Sequence, residues 1–120
     1  NKELHVLTHH GHHSANGKDG RIENNRQNKI IANYIKELDG PVILTGDFNV
    51  HQDSLSLKPI HDIMRNLTLE FGIASTRTEL AKRQEVIDYV FVNKIVKVSN
   101  FKVSDMIVSD HSALILEFEV

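Results

Sequence analysis

Apolar residues recur in two parts of the chain at the spacing of one buried helix face, and they predict two helices. The first helix is predicted over residues 21–38, and Asp39-Gly40-Pro41 ends it. Its apolar residues are Ile30, Ile31, Tyr34, Ile35 and Leu38. The second helix is predicted over residues 54–67. Its apolar side is formed by Ile60, Ile63, Met64 and Leu67.

Shorter apolar or alternating stretches, bounded by turn residues, predict five strands. These strands are residues 4–8, 42–45, 86–92, 95–104 and 113–120. Residues 69–74 fit either a short strand or irregular structure, and the polar stretches 9–20 and 76–85 are predicted to be loops. The pattern predicts an α/β (α+β) fold in which one mixed sheet carries helices on one face.

Composition places the chain among soluble globular domains. Hydrophobic residues are 40% and charged residues 25% of the 120 residues, and this length predicts a single domain over residues 1–120. No apolar run approaches the roughly 18 residues that cross a bilayer, so no membrane span is predicted. The absence of cysteine excludes disulfides and favours a reducing compartment such as the cytoplasm.

Charge gives no sign of a protein held on nucleic acid by bulk electrostatics. The formal net charge is −2, whereas non-specific affinity for nucleic acid comes from neutralising phosphates with basic residues. The adjacent basic residues Lys82 and Arg83 are predicted to form a solvated face. A nuclease is still compatible with this charge, because a bound cation supplies positive charge where it is needed.

The strand end Gly46-Asp47-Phe48-Asn49 is the first candidate for chemistry. It follows the apolar run 42–45, and side chains alternate along an extended chain. We therefore expect Asp47 and Asn49 to point to one side and Phe48 to point into apolar packing. Gly46 would let the backbone approach whatever the two polar side chains hold.

Two further short motifs carry acids. Ser109-Asp110-His111 precedes the last predicted strand, and Ile87-Asp88-Tyr89 begins an alternating strand. Each motif alone is more typical of a turn or a cap than of an active site. Together with the first motif, they supply three acids, a carboxamide and an imidazole. These are the groups that hydrolysis of a phosphate ester requires.

These three motifs, preceded by Thr8-His9 at the end of the first strand, resemble the endonuclease/exonuclease/phosphatase superfamily, which has the DNase I-like fold. The resemblance runs from about residue 8 to residue 111. It implies an α/β/β/α sandwich, of which this chain would be the C-terminal half. The family's N-terminal strand with an Asn, and its metal-binding Glu, have no counterpart here.

The resemblance also implies roles for the residues. Asp47 would orient a water molecule or bind a metal ion, and Asn49 would hold a phosphoryl oxygen. Asp110 is an oxygen ligand suited to Mg²⁺ or Mn²⁺, and the metal site would comprise Asp110, Asp47 and Asn49. His111 would donate to the phosphoryl group or the leaving oxygen. Asp88 would lie within about 2.6–3.2 Å of His111 and fix its tautomer.

The histidine-rich loop is open to two interpretations. His9 matches the family's strand-end histidine and is expected to be a second phosphate donor, although it is also one histidine among four. His10, His12 and His13 are expected to be solvated loop residues. Clustered histidines can bind Zn²⁺, but neighbours in a glycine-containing loop point in different directions.

The sequence therefore predicts a metal-dependent phosphoesterase, a hydrolase acting on a diester or monoester in nucleic acid, a phospholipid or an inositol phosphate. The alternative is a catalytically inert half-domain that serves as an interaction or assembly module. Without the Glu-bearing half, we expect weak Mg²⁺ binding and no activity from this chain alone. The expected partners are the missing half or a second copy, bound through an uncovered apolar sheet face.

Overall fold

Six strands form two sheets in the computed structural model, which describes residues 2–120. The strands are β1 His5–His10, β2 Val42–Asp47, β3 Arg65–Asn66, β4 Asp88–Val92, β5 Lys97–Val103 and β6 Leu114–Glu119. In the larger sheet the order is β1-β2-β4-β3, with β1 parallel to β2 and the other pairs antiparallel. β5 and β6 form a separate antiparallel hairpin. The five predicted strands and the α+β fold with a mixed sheet are confirmed, although the last two strands form a sheet of their own.

The first predicted helix is confirmed as α1, Ile22–Lys36, although its buried face differs from the predicted one. The Asn24 side chain accepts a hydrogen bond from the Arg21 N–H at 2.9 Å, which satisfies a free donor at the helix start. The buried residues are Asn24, Asn28, Ala32 and Ile35. Ile30 and Tyr34 are 62% and 58% exposed, because they lie beside the stripe that begins at Asn24.

The second predicted helix is wrong, because the chain changes direction between residues 54 and 70. A 3₁₀ turn, Leu55–Leu57, leads into a single helical turn, α2 Lys58–His61. β3 then pairs with the far end of β4, and a further helical turn, α3 Leu67–Glu70, follows it. The end of α3 and a turn occupy residues 69–74, where a strand was one of the two expectations. None of the helices in the described part of the chain is long and apolar enough to cross a membrane.

Helices α1 and α2 cover one face of the larger sheet, as predicted, whereas the β5–β6 hairpin and Leu67 of α3 pack on the other. Side chains of β2 and β4 alternate between the faces. Leu44 and Phe91 pack with α1 and α2, whereas Ile43 and Val90 pack with the hairpin. The prediction of an uncovered apolar face is wrong for these two strands, since Ile43 and Val90 are 6% and 4% exposed.

Candidate functional site

Strand register brings three polar residues to the same end of the larger sheet. Asp47 is the Cα partner of His10 on β1 and of Asp88 on β4. Directly opposed residues of neighbouring strands project to the same face. These three side chains therefore share the face on which the hairpin packs, just beyond the last apolar residues of the strands.

Asp88 and His111 form the central contact of this site. His111 Nδ1 lies 3.0 Å from each carboxylate oxygen of Asp88, which confirms the predicted hydrogen-bonding distance. Thr76 Oγ1 donates to Asp88 Oδ2 at 2.7 Å. Burial raises the pKa of Asp88, and the neighbouring Asp47 carboxylate raises it further. The hydrogen bonds from Thr76 and His111 act in the opposite direction on this pKa.

Thr76 was missed by the sequence analysis, which treated residues 76–85 as an exposed loop. Its side chain is 0% exposed, and its hydroxyl also accepts the backbone N–H groups of Ile87 and Asp88 at 3.2 and 3.3 Å. The same segment holds the His111 loop, because the Ser112 N–H donates to Thr76 O at 2.9 Å. The available signal was the spacing of Thr76 and Thr78, which lie two residues apart in the polar stretch, as residues on one side of an extended, partly buried segment do.

Asp47 lies on the other side of His111. Its Oδ2 is 3.7 Å from His111 Nε2, and its Oδ1 accepts the Asn49 N–H at 2.9 Å. Ligand atoms of Asp47, Asp88 and His111 all lie within 4.8 Å of one another. This group of two carboxylates and one imidazole is close enough to share a metal ion.

Asn49 leaves the extended conformation, so the expected simple alternation with Asp47 does not continue past the strand. Its φ is 56°, in the left-handed region that asparagine tolerates better than most residues. The side-chain Nδ2 donates to Gly11 O at 2.9 Å, and Oδ1 accepts from Lys18 Nζ at 2.8 Å. The amide thus joins the histidine-rich loop to the end of β2.

Gly46 permits a close approach between strands rather than an approach to a ligand. Its φ is 146°, and a Cβ at this position would overlap the backbone carbonyl of His9 on β1. Only glycine fits such a position. The expected need for a glycine is therefore explained by the packing of β1 against β2.

Asp110 is not brought into the group formed by Asp47, Asp88 and His111. Its Oδ2 accepts a hydrogen bond from Arg77 Nη2 at 2.9 Å, and its side chain is 53% exposed. The expected metal set of Asp110, Asp47 and Asn49 is therefore not assembled. Residues 108–110 form a bend before the bridge between Arg77 and His111, and this geometry directs His111 toward Asp88 and Asp110 toward Arg77.

His9 and His10 also point to opposite faces. His9 pairs in register with Gly46, and its ring makes an edge contact with Phe48 at 5.1 Å on the helix-covered face. Burial lowers the pKa of His9, the adjacent His10 lowers it further, and Asp47 raises it. His10 instead lies on the face of Asp47, with Nε2 3.9 Å from Asp47 Oδ2 and a side chain 80% exposed. The structure thus places His10 on the face of Asp47, whereas His9, the expected phosphate donor, packs on Phe48 and has a buried Nε2 without a hydrogen-bond partner among the described residues.

The remaining loop histidines lie outside this group. His13 Nδ1 accepts from Lys18 Nζ at 2.8 Å, and the His12 backbone N–H donates to Gln27 Oε1 at 2.9 Å. Within residues 2–120, the loop histidines do not assemble a metal site of their own.

Comparison with known proteins agrees with this fold. Residues 3–111 match the sequence model of the Endonuclease/Exonuclease/phosphatase family. No protein of curated function matches the sequence.

Three solved structures have a similar fold, two of proteins from Bacteroides species and one of a D. rerio protein. An endonuclease/exonuclease/phosphatase from Bacteroides vulgatus is 23% identical, with a TM-score of 0.71 over 84% of this chain and 45% of that one. A mannosyl-6-phosphatase from Bacteroides thetaiotaomicron is 20% identical, with a TM-score of 0.62 over 84% and 47%. A humanized D. rerio TDP2 is 16% identical, with a TM-score of 0.73 over 99% and 56%. The chain therefore shares their fold and spans about half of their length.

Proposed function

The chain belongs to the endonuclease/exonuclease/phosphatase family, and from this premise we propose that it hydrolyses a phosphate ester. The observation that carries the proposal is the imidazole of His111, held by the buried Asp88 at 3.0 Å and 3.7 Å from Asp47. Such hydrolysis needs a positioned water, a proton donor and neutralisation of charge on the phosphoryl oxygens. The name of one structural neighbour, a mannosyl-6-phosphatase, agrees with a phosphate-ester substrate. We include diesters and monoesters among the substrates.

In this proposal Asp88 and His111 act as one unit. Asp88 accepts the Nδ1–H of His111, so the opposite nitrogen, Nε2, faces the site. A carboxylate behind an imidazole fixes the tautomer and stabilises the imidazolium. His111 Nε2–H then donates to a phosphoryl oxygen or to the leaving oxygen, and Thr76 keeps Asp88 in place through its hydroxyl.

Asp47 is proposed to orient the attacking water. Its Oδ1 is fixed by the Asn49 N–H, whereas its Oδ2 faces His111 Nε2 and His10 Nε2 at 3.7 and 3.9 Å. A water bound to Oδ2 is therefore positioned on the open side of His111. We propose that Asn49 acts as a positioning residue, because both ends of its amide are engaged by Gly11 and Lys18.

A divalent cation, Mg²⁺ or Mn²⁺, fits the oxygen donors of this site. Asp47 and Asp88 are the two neighbouring carboxylates that would hold it. Carboxylate oxygens suit both ions, and one or two carboxylates hold Mg²⁺ weakly unless a substrate phosphate completes the shell. When bound, the cation would neutralise charge on the phosphoryl oxygens.

His10 is proposed as the second donor to phosphate, in the role that the sequence suggested for His9. The support is its position on the face of Asp47 and its exposed ring. The His10 ring is exposed to an approaching ligand, whereas the His9 ring is packed against Phe48.

The test is hydrolysis of p-nitrophenyl phosphate and bis-p-nitrophenyl phosphate by the chain, with Mg²⁺, Mn²⁺ or a chelator present. The sequence predicted no activity from this chain alone, but the assembled group of Asp47, Asp88 and His111 leads us to expect cation-dependent hydrolysis of at least one compound. In the variant His111→Ala the rate should fall about 10²- to 10⁴-fold, the range typical of a lost general acid.

His5→Ala is the matched control, because His5 lies at the other end of β1. This variant should keep the rate within about twofold. Equal rates for His111→Ala and the unaltered chain would overturn the proposal. Absence of any hydrolysis with either cation would instead favour an inert interaction module.

A further inference from the structure

A basic cavity of about 780 Å³ lies beside the candidate site. Its charged lining comprises Lys18, Arg77, Lys82, Arg83, Glu85 and Asp110. Four cations and two carboxylates give this lining a formal charge of +2, whereas the whole chain carries −2. The volume is within the roughly 300–1,000 Å³ typical of small-molecule sites. Positive charge is therefore concentrated in one concave place.

The cations of this cavity are not equally committed to other groups. Arg77 binds both acids, with Nη1 2.9 Å from Glu85 Oε2 and Nη2 2.9 Å from Asp110 Oδ2. Lys18 donates only to neutral acceptors on His13 and Asn49. Within residues 2–120, neither Lys82 nor Arg83 forms an ion pair, so their charge is available to a ligand.

Hydrogen bonds connect the walls of the cavity to the site. Lys18 binds Asn49 Oδ1, and the Asn49 N–H binds Asp47. On the other wall, the Thr78 N–H donates to Asp110 O at 3.0 Å, immediately before His111. The lining is thus joined to Asp47 through Lys18 and Asn49, and Asp110 of the lining directly precedes His111.

We propose that this cavity binds a second phosphate group of the substrate, one that is not hydrolysed. The proposal rests on the proposed function and adds to it that the preferred substrate carries at least two phosphates. Lys82 and Arg83 approach from one wall and Lys18 from the other, although more than sixty positions of the sequence separate them. Basic side chains that converge in this way bind phosphate oxygens through charge-assisted hydrogen bonds.

The experiment measures binding rather than turnover. Inorganic tripolyphosphate is titrated into the chain by calorimetry, in chelator and at low salt. Lys82→Ala/Arg83→Ala should weaken binding about tenfold or more, which is what loss of one or two charge-assisted hydrogen bonds implies. Lys82→Arg/Arg83→Lys, which keeps both charges, should bind within about threefold of the unaltered chain.

Lys97→Ala/Lys102→Ala is the matched control, because it removes the same charge from exposed positions of β5. It should change the affinity less than about twofold. An equal loss in both charge-removing variants, or no binding of tripolyphosphate at millimolar concentration, overturns the proposal. Circular dichroism of each variant verifies that the fold is retained.

Two further arms separate this proposal from the function and identify the source of the phosphate. Asp47→Asn should abolish hydrolysis but bind tripolyphosphate with an affinity within about twofold of the unaltered chain. Phosphate binding in the cavity is thereby tested independently of hydrolysis. A single-stranded oligonucleotide is then compared with tripolyphosphate. If the Lys82/Arg83 variant loses affinity for both ligands, the second phosphate is a backbone phosphate. If it loses affinity for tripolyphosphate alone, the substrate is a small polyphosphorylated molecule. Unchanged affinity for tripolyphosphate overturns the proposal.

Discussion

The end of β1 and the loop at residues 109–111 each carry two adjacent ionisable residues, and in each pair only one residue reaches the site. His10 faces Asp47 at 3.9 Å while His9 packs on Phe48. His111 contacts Asp88 at 3.0 Å while Asp110 pairs with Arg77. Alternation along the extended strand β1 separates the first pair, and a bend at residues 108–110 separates the second. A motif of adjacent residues thus identifies a location, and the local backbone selects the residue that acts.

The contrast between His111 and Asp110 in the loop at residues 109–111 predicts the largest effect on activity. Asp88→Asn removes the carboxylate behind His111, and we expect hydrolysis to fall about 10²- to 10⁴-fold, as when a general acid loses the group that fixes its tautomer. Asp110→Asn removes a carboxylate paired with Arg77 and should reduce the rate less than about tenfold. Steady-state rates on bis-p-nitrophenyl phosphate measure both. A larger loss for Asp110→Asn would restore Asp110 as a metal ligand.

Asp88→Asn should also change stability in a pH-dependent way. Because the folded-state pKa of Asp88 is raised, protonation of Asp88 stabilises the folded state. This stabilisation reaches its full value below the unfolded pKa, near 3.8. That stability is lost as the pH rises through the folded pKa. The neutral Asn avoids this loss, so the variant should be more stable than the unaltered chain at pH 7 and lose its advantage below about pH 4. Urea unfolding at both pH values measures the difference, and a less stable variant at pH 7 would contradict it.

The comparison at the end of β1 predicts a smaller effect on activity. His10→Ala should lower the rate about tenfold if its ring donates to phosphate, below the range of a general acid. His9→Phe keeps the edge contact with Phe48 and should leave the rate within about twofold. The same hydrolysis assay measures both variants. The reverse order would return the donor role to His9.

His9→Phe also provides a test through stability. Burial lowers the pKa of His9, so the stability it contributes is present above its unfolded pKa of 6.5 and is lost as the pH falls through the folded pKa. Phenylalanine cannot be protonated, so the variant should lose less stability between about pH 7 and pH 5. Urea unfolding at several pH values measures the slope, with His5→Phe as the control. Identical slopes for His9→Phe and the unaltered chain would contradict the packed position of His9.

The smallest predicted change concerns Thr76. Thr76→Val leaves Asp88 and two backbone N–H groups without their buried partner, which costs about 1–3 kcal/mol of unfolding free energy. Thr78→Val is a control of the same chemistry on the same segment, although Thr78 bonds to Ser109 rather than to Asp88. Denaturant unfolding measures the free energy, and the pH profile of hydrolysis should shift only in Thr76→Val.

Local pattern was sufficient for the elements that the backbone alone defines. The five strands, α1 and the strand-end positions of Asp47 and Asp88 follow from period and turn residues. The contact between Asp88 and His111 came from the family resemblance rather than from spacing. The break in the second predicted helix had no local signal, because pairing of Arg65 and Asn66 with β4 outweighs the helical spacing of Ile60, Met64 and Leu67.

The sequence by itself determined which residue types are available at the strand ends: two carboxylates, a carboxamide and an imidazole. Tertiary structure decided which of them meet. Register placed His10 rather than His9 beside Asp47, and the hydrogen bonds of residues 76–78 turned His111 inward and Asp110 toward Arg77. Tertiary structure also gathered Lys18, Lys82 and Arg83 around one cavity, which no local pattern encodes. The physical reason is that side-chain direction alternates with every residue, and only pairing with another segment fixes that direction.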